Sequence, residues 1–372
     1  MRETVAMTDV PQWFAPGRVN LIGEHLDYNG GPVLPIAIDR GTTVKARTRD
    51  DDQVRVWTTH GGNLTGGFAV GVVPGDVDGW LSYVAGVFWS IRSIGHTPPG
   101  FDLVIDSDVP SGAGLSSSAA LECAVAGAVN EICGLGIGPI DLALLAQRAE
   151  SDFVGVPCGA MDQLASMCGQ DGHALFINTA VTPPTVDSVA ADWVGDGLEL
   201  LVIDTKTVRQ LADGRYAQRR QECAEAARVL ELDALAAAGP DAVLRLDDET
   251  LKARTRHVIT ETARTRGAVR ALRARNWTQF GAILTASHES LRADFEVSCM
   301  ELDIAVEAAL TAGALGARMT GGGFGGSVIA LIPAGSVKAV TERVTGSLVH
   351  AERPTPHCFV VNPADGMHRV SA

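Results

Sequence analysis

The chain has 372 residues, of which 30 are basic and 44 acidic, so its formal net charge at pH 7 is −14. Nucleic acids and anionic membranes repel so acidic a protein, and we expect neither as a partner. The hydrophobic share of 46% is typical of a soluble globular chain, and the length predicts two domains.

The seven cysteines are dispersed, without Cys-x-x-Cys pairs or the spacing of zinc ligands, which is typical of buried thiols in a reducing compartment. Residues 1–16 carry charges and prolines instead of the apolar stretch of a signal peptide, and no uninterrupted apolar run reaches membrane-spanning length. We therefore expect a cytoplasmic protein. We also expect it to be a monomer or weak homodimer and to have small molecules as its partners.

The first informative segment is G-R-V-N-L-I-G-E-H-L-D-Y-N at 17–29, where an apolar run ends in a polar turn. Glu24, His25 and Asp27 on that turn would offer acceptors and a donor to several hydroxyls, as a sugar requires. A solvated loop whose charges touch nothing is the alternative that composition alone leaves open.

Strands are predicted at 42–48 and 53–59, where apolar and polar residues alternate, and a helix is predicted at 80–94. A further strand, 101–105, leads into V-P-S-G-A-G-L-S-S-S at 109–118, after which the residues become small and helix-forming. The chain is therefore expected to place a glycine-rich turn between a strand and a helix.

A glycine-rich turn in this position leaves backbone N–H groups bare at the first turn of the helix, where the helix dipole also favours an anion. Gly112 and Gly114 permit positive φ, and the serines add hydroxyls that can ligate Mg²⁺. The lysine P-loop motif is missing, Ser117 breaks G-x-G-x-x-G, and Ser118 breaks G-x-S-x-G. A bound phosphate would therefore rest on backbone amides; a serine-capped loop without a ligand is the alternative.

Two more segments carry candidate chemistry. G-A-M-D-Q at 159–163 heads a short predicted helix and places Asp162 near its N-terminus, where the dipole favours a carboxylate. T-G-G-G-F-G-G at 320–326 joins two predicted strands, as a loop does when it approaches another backbone or a ligand closely. A helix-capping aspartate and a permissive hairpin are the respective alternatives.

The remaining pattern divides the chain in two. A helix is predicted at 140–150 and a polar surface connection at 179–197, followed by a strand at 198–204. We therefore place the domains at 1–197 and 198–372. The further helices are predicted at 215–230, 250–274, 277–291 and 301–312, and the further strands at 315–319 and 327–332.

Taken together, the segments at 17–29, 110–120 and 316–326 resemble the three signature motifs of the GHMP small-molecule kinases, and within that superfamily they are most similar to the galactokinase family. C-G-A-M-D-Q at 158–163 resembles that family's catalytic-aspartate segment. The four segments follow the family order and span nearly the whole chain, so together they are far more specific than any one of them.

The resemblance implies a two-domain α+β fold, with an N-terminal ribosomal S5 domain 2-like domain, a C-terminal ferredoxin-like α/β sandwich and the active site in the cleft between them. It also implies Mg²⁺- and ATP-dependent phosphorylation of the anomeric hydroxyl of α-D-galactose. The products would be α-D-galactose 1-phosphate and ADP, in the first committed step of galactose catabolism by the Leloir pathway.

Mapped residue by residue, the resemblance implies Asp162 as the general base and Arg18 as its partner. A carboxylate hydrogen-bonded to the sugar hydroxyl can accept its proton, and a guanidinium beside it favours the ionised carboxylate. Ser118 and Glu150 match the Mg²⁺ ligands, and 321–326 would lie near the nucleotide. The sugar-contacting positions are Glu24, His25, Asp27, Gly159 and Tyr216. The positions that hold the ATP phosphates are Gly112, Ala113, Gly114, Leu115, Ser116, Ser117 and Ser118.

Three departures bear on the sugar, among them D-T-K at 204–206, which differs from the family's common versions. Leu26 stands where the family usually has threonine, and T-V-R-Q at 207–210 ends in Gln210 where the family has histidine. These changes leave another hexose, a pentose or a deoxy sugar open as the substrate.

A non-catalytic sugar and ATP sensor is a further alternative, but such sensors lose the Ser-Ala pair that is intact here at Ser118 and Ala119. A serine hydrolase would need a paired histidine, and none stands at a recognisable spacing.

Overall fold

The structure, a computed structural model, describes residues 7, 10–59, 64–110, 112–207 and 214–371. Ser111 of the glycine-rich turn and Gln210 lie outside these ranges. The strands are β1 (Gln12–Asn20), β2 (Pro32–Val33), β3 (Pro35–Thr48), β4 (Gln53–Thr58), β5 (Leu64–Ala69), β6 (Phe101–Ser107), β7 (His173–Asn178), β8 (Thr185–Ala190), β9 (Leu198–Asp204), β10 (Gly316–Thr320), β11 (Ser327–Pro333), β12 (His357–Val361) and β13 (His368–Arg369). The α-helices are α1 (Leu81–Ser93), α2 (Ser117–Ile132), α3 (Pro139–Arg148), α4 (Met161–Cys168), α5 (Arg215–Val229), α6 (Glu249–Arg273), α7 (Trp277–Ala293), α8 (Met300–Thr311) and α9 (Val337–His350).

The first half is built on a mixed sheet in the order β13-β1-β3-β6-β4-β5, in which only β4 and β6 run parallel among the described pairings. Along β4, Val54 and Val56 are buried while Gln53 and Arg55 are exposed, because alternate side chains of a strand point to opposite faces. Helices α2 and α4 pack on β1 and β3. The strand that carries Arg18 therefore lies directly beneath the helix that carries Asp162.

The second half is an antiparallel sheet in the order β10-β11-β9-β12, with α5 to α8 between β9 and β10 and with α9 between β11 and β12. This is the β-α-β-β-α-β succession of a ferredoxin-like sandwich. Both faces of β9 are buried: Leu201 and Ile203 pack in the core with α8 and α9, and Leu200 and Val202 pack with α7 and β1. The two-domain α+β fold expected from the sequence is confirmed.

Most predicted elements form within one or two residues of their expected bounds, but three differ. The strand predicted at 42–48 begins seven residues earlier, as β3 (Pro35–Thr48). The polar stretch 179–197 was expected to be a surface connection, and this is wrong because β8 pairs with β7 along its whole length in a sheet β2-β7-β8. β8 is mostly exposed, so it lacks an apolar pattern. The helix predicted at 140–150 ends at Arg148, and a π-helical turn, Ala149–Val154, continues it.

The end of the described chain returns to the first sheet. β13 pairs with β1, the Gly366 N–H donates to the Gly169 carbonyl, and the Met367 N–H donates to the Ser166 carbonyl at the end of α4. These contacts hold α4 against β1 from outside the cleft. None of the helices formed by the described residues is long and apolar enough to span a membrane.

A close approach of two backbones fixes α7 on β10. A Cβ on Gly281 would overlap the backbone carbonyl of Leu315, and backbone cannot move aside as a flexible side chain can.

We expect Gly281→Ala to lower the free energy of unfolding by about 2–3 kcal/mol. Gly346→Ala is the matched control: this exposed position in α9 has open space, so we expect a gain of about 0.5–1 kcal/mol from helix propensity. Chemical denaturation measures both, and equal effects would contradict the packing argument.

Candidate active site

One cleft of about 480 Å³ collects nearly all of the side chains singled out from the sequence. It is lined by parts of all four motif segments and by the first turn of α5, so both halves of the chain contribute. Of the predicted positions, those lining it are Arg18, Glu24, His25, Asp27, Gly112, Gly114, Leu115, Ser116, Ser117, Ser118, Glu150, Gly159, Asp162 and Tyr216. Ala113 is buried behind the wall, and its carbonyl accepts a hydrogen bond of 2.7 Å from the Ser327 hydroxyl.

The turn before α2 has the conformation that an anion site requires. Gly112, Gly114 and Ser116 adopt positive φ of 76°, 78° and 59°, and α2 begins without a side-chain cap. The first N–H groups of α2 therefore point along the helix axis toward the cleft, where the dipole favours a negative charge. The Leu115 carbonyl accepts from the Arg18 N–H at 3.1 Å, which ties this turn to β1.

Arg18 and Asp162 form the central ion pair of the cleft. Nε and Nη2 of the guanidinium donate to the two carboxylate oxygens at 2.8 and 2.9 Å, and Nη1 donates to the Gly114 carbonyl at 2.6 Å. The Ser116 hydroxyl also donates to Asp162. Arg18 is buried, whereas the Asp162 side chain is 27% exposed. The carboxylate is thus fixed in orientation but still accessible from the cleft.

Ser118 and Glu150 meet on the adjoining wall, with the hydroxyl donating to the carboxylate at 2.9 Å. Burial, and next the negative charge of Asp162, raise the pKa of Glu150 to about 7. Behind them, Nε2 of Gln163 donates to Glu150 at 2.6 Å and to the fully buried Glu122 at 3.1 Å. A cation beside Ser118 and Glu150 would offset this crowding of carboxylates.

Asp27 packs edge-on against Gly159. A Cβ at position 159 would overlap the Asp27 carboxylate, so only glycine fits there. Burial, and next the charge of Asp162, raise the pKa of Asp27 from its ordinary value of 3.8 to about 6. Asp27 and Asp162 therefore face the same space, in which a bound hydroxyl could bridge them.

Aromatic rings form the opposite side of this space. The ring of His25 lies 5.5 Å from that of Tyr216 and 4.6 Å from that of Phe295, and its Nδ1 lies 2.9 Å from the Tyr28 hydroxyl. Burial, with the nearby His257, holds the pKa of His25 well below its usual range. His25 is therefore neutral at pH 7 and can offer both a donor and an acceptor.

Glu24 occupies a different position from its neighbours on the turn. Its carboxylate accepts from Arg318 Nη2 at 2.9 Å, from the Gly321 N–H and from Asn20. Glu24 thus joins the first motif to the third while still bordering the cleft. Leu26, the departure noted in the sequence, is fully buried in the core and is not among the residues that line the cleft.

Several residues that shape this site are not among the positions predicted from the sequence. Gln163 ends the C-G-A-M-D-Q segment, whereas Glu122 lies just after the glycine-rich motif, in the small-residue helix α2. A glutamate on the buried face of such a helix is itself an unusual feature. Arg318 also lies in a motif and is fully buried, a role its spacing does not predict. Cys158 lines the cleft, and burial raises the pKa of its thiol.

Comparison with known proteins agrees with this geometry. Three family models match: the galactokinase galactose-binding signature at residues 8–48, the GHMP kinases N terminal domain at 82–170 and the GHMP kinases C terminal domain at 268–350. A galactokinase of Streptomyces coelicolor is 43% identical over 367 residues, covering 96% of this chain and 94% of its own.

Two solved structures extend the comparison. The crystal structure of Lactococcus lactis galactokinase complexed with galactose superposes with a TM-score of 0.90 at 33% identity, covering 98% of this chain and 96% of that one. Methanococcus jannaschii mevalonate kinase shares the fold, with a TM-score of 0.65 at 20% identity and coverage of 96% of this chain and 99% of that one.

Fold, site and family matches together define a GHMP small-molecule kinase, a class that uses ATP as its phosphoryl donor. The resemblance noted in the sequence is confirmed. Within this superfamily the chain belongs to the galactokinase family.

The raised pKa of Asp27 predicts a pH-dependent stability. Between about pH 4 and pH 6 the folded protein holds this proton while the unfolded chain has lost it, so Asp27 lowers the free energy of unfolding as the pH rises through that window. Asp27→Asn removes this effect. The free energy of unfolding of the variant minus that of the parent should increase by about 1–2 kcal/mol from pH 4 to pH 6. The effect is smaller than in a fully enclosed site because the carboxyl borders open solvent. Denaturation series at several pH values measure the difference, and a constant gap would contradict the assignment.

Proposed function

We propose that the chain transfers the γ-phosphoryl group of ATP to the anomeric hydroxyl of α-D-galactose, giving α-D-galactose 1-phosphate and ADP, the first committed step of the Leloir pathway. The observation that supports this best is that Asp162 lies in one cleft with both the open N-terminus of α2 and the Asp27–His25 turn. A single carboxylate thereby stands between an anion site and a polyol site.

Asp162 is the general base in this proposal. A hydroxyl bound between Asp162 and Asp27 would lie within hydrogen-bond reach of a carboxylate whose rotation is prevented by Arg18 and Ser116. As the hydroxyl oxygen attacks phosphorus, its proton passes to Asp162. The contacts of Arg18 with described residues use three of its five N–H groups, and the guanidinium could direct the others toward the transferring phosphoryl group.

The ATP phosphates are assigned to the turn before α2. Backbone N–H groups at the start of the helix would bind phosphate oxygens, and Gly112 and Gly114 let the ligand approach without meeting a side chain. Phosphoryl transfer depends mainly on positioning and on charge neutralisation, so a rigid cradle of amides suits it.

Ser118 and Glu150 fit a Mg²⁺ ion. A hydroxyl and a carboxylate are oxygen ligands of the kind that this hard cation prefers. Burial, and next the charge of Asp162, raise the pKa of Glu150, and a cation there would favour its ionised form. Among the described residues there is no cluster of three or more histidine, cysteine or acidic side chains that could hold a metal. Held by Ser118 and Glu150, the ion would screen the negative charge of the triphosphate.

Sugar contacts are assigned to Asp27, His25, Gly159, Tyr216 and Glu24. The carboxylate of Asp27 accepts from sugar hydroxyls, the neutral His25 donates or accepts, and Tyr216 supplies an aromatic wall. Most acceptor capacity of Glu24 is already used by Arg318 and Gly321, so its share in sugar binding is smaller than that of Asp27.

A sugar panel coupled to ADP release tests the proposal. With Mg-ATP present, we expect galactose to give the highest kcat/KM among aldohexoses, pentoses and deoxy sugars. Turnover of another sugar with none of galactose would contradict the substrate assignment, and galactose binding without ADP release would favour a sensor instead.

Asp162→Asn tests the role of the base. The amide keeps the size of the side chain and one acceptor but cannot take a proton at neutral pH, so we expect kcat to fall about 10²–10⁴-fold. Galactose should still bind, as isothermal titration calorimetry without ATP can measure. Asp102→Asn is the control, since Asp102 is a buried carboxylate paired with Arg47 and Arg49 and lies outside the cleft. An unchanged kcat in Asp162→Asn would remove this residue as the base.

A further inference from the structure

The turn at residues 23–27 carries the sugar-facing side chains in an unusual backbone conformation. Gly23 and His25 both have positive φ, 105° and 64°, and a left-handed non-glycine residue persists only where its surroundings fix it. A Cβ on Gly23 would approach the Pro32 carbonyl at 2.8 Å and the Thr265 hydroxyl of α6 at 3.2 Å. The turn is therefore pressed against a helix of the second half of the chain.

Glu261 of α6 binds the backbone of this turn. Its Oε1 accepts from the Gly23 N–H at 3.0 Å and from the Ser287 hydroxyl at 2.6 Å, and its Oε2 accepts from Arg264 at 2.7 Å. Glu261 is fully buried. A buried carboxylate with these partners is held in one orientation, so it fixes the position of the Gly23 N–H in turn.

His257, one helical turn earlier on α6, binds the backbone carbonyl of Glu24, the residue after Gly23. Its Nε2 lies 3.2 Å from the Glu24 carbonyl, and its Nδ1 lies 3.0 Å from the Ser290 hydroxyl. Because a carbonyl can only accept, Nε2 carries the proton in this contact. The ring of Phe295 lies between the two histidines, with centroids 4.5 Å from His257 and 4.6 Å from His25. His257 therefore also supports the ring of His25, through Phe295.

We propose, resting on the sugar-kinase function above, that Glu261 and His257 are positioning residues for the sugar. They hold the backbone at Gly23 and Glu24 in the conformation that directs His25 and Asp27 into the cleft. Neither residue lines the cleft, and neither has a recorded hydrogen bond to the described part of the turn before α2. Their loss therefore weakens galactose binding and leaves ATP binding unchanged.

The experiment compares Glu261→Met with Glu261→Gln in the full chain. Methionine keeps the approximate volume but removes both acceptors, whereas glutamine keeps an oxygen for the Gly23 N–H and the Ser287 hydroxyl. With Mg-ATP saturating, we expect the galactose KM to rise about tenfold or more in Glu261→Met and less than about threefold in Glu261→Gln. The ATP KM should stay within about twofold in both, as measured by coupled ADP release.

His257→Phe gives an independent test, including the case in which Glu261→Met does not fold. Phenylalanine keeps the ring packing on Phe295 and removes the N–H that binds the Glu24 carbonyl. We expect the galactose KM to rise several-fold with an unchanged ATP KM. Asp102→Asn controls for general loss of stability, because it disturbs a buried ion pair away from this turn.

Three outcomes overturn the proposal. The first is a galactose KM that matches the parent in both Glu261→Met and His257→Phe. The second is equal rises in the KM of galactose and of ATP, as a merely structural role would produce. The third is a parent protein that does not phosphorylate galactose, which overturns the proposed function and this inference with it; the first two leave the proposed function standing.

Discussion

The bidentate ion pair between Arg18 and Asp162 is the contact on which the rest of the site depends. Arg18 belongs to β1, Asp162 lies in the first turn of α4, and the third guanidinium nitrogen binds the Gly114 carbonyl of the turn before α2. One buried side chain thus sets the distance between the proposed base and the turn before α2. The partners are 144 and 96 residues from Arg18 in the chain, so only the packing of α2 and α4 on β1 brings them together.

The cleft concentrates negative charge before any ligand binds. Asp27 and Glu150 both have raised pKa values, about 6 and about 7, with burial as the main cause and Asp162 as the next. Such crowding costs stability, and proteins retain it where function requires it. The proposed cation at Glu150 and the proposed sugar hydroxyls at Asp27 would relieve this crowding.

The sequence predicted the local parts of this site well because each depends on neighbours in the chain. Short contiguous segments are enough to predict the glycines at 112 and 114, the helix that follows them and the aspartate in the first turn of α4. The sequence could not show what joins them. Glu261 and His257 lie more than 230 residues from the turn they hold, and they stand in an ordinary-looking amphipathic helix. Leu26 shows a different limit: the sequence marks it as a departure inside a motif, and only the structure shows that its side chain lies in the core.

The coupling between Arg18 and Asp162 in catalysis is the most direct test of this account, and a double-mutant cycle on kcat measures it. If the two residues act as one unit, Arg18→Met/Asp162→Asn should lose little more activity than the more damaging single variant. Additive losses, with each substitution lowering kcat by the same factor in either background, would contradict the claim that this ion pair organises the site.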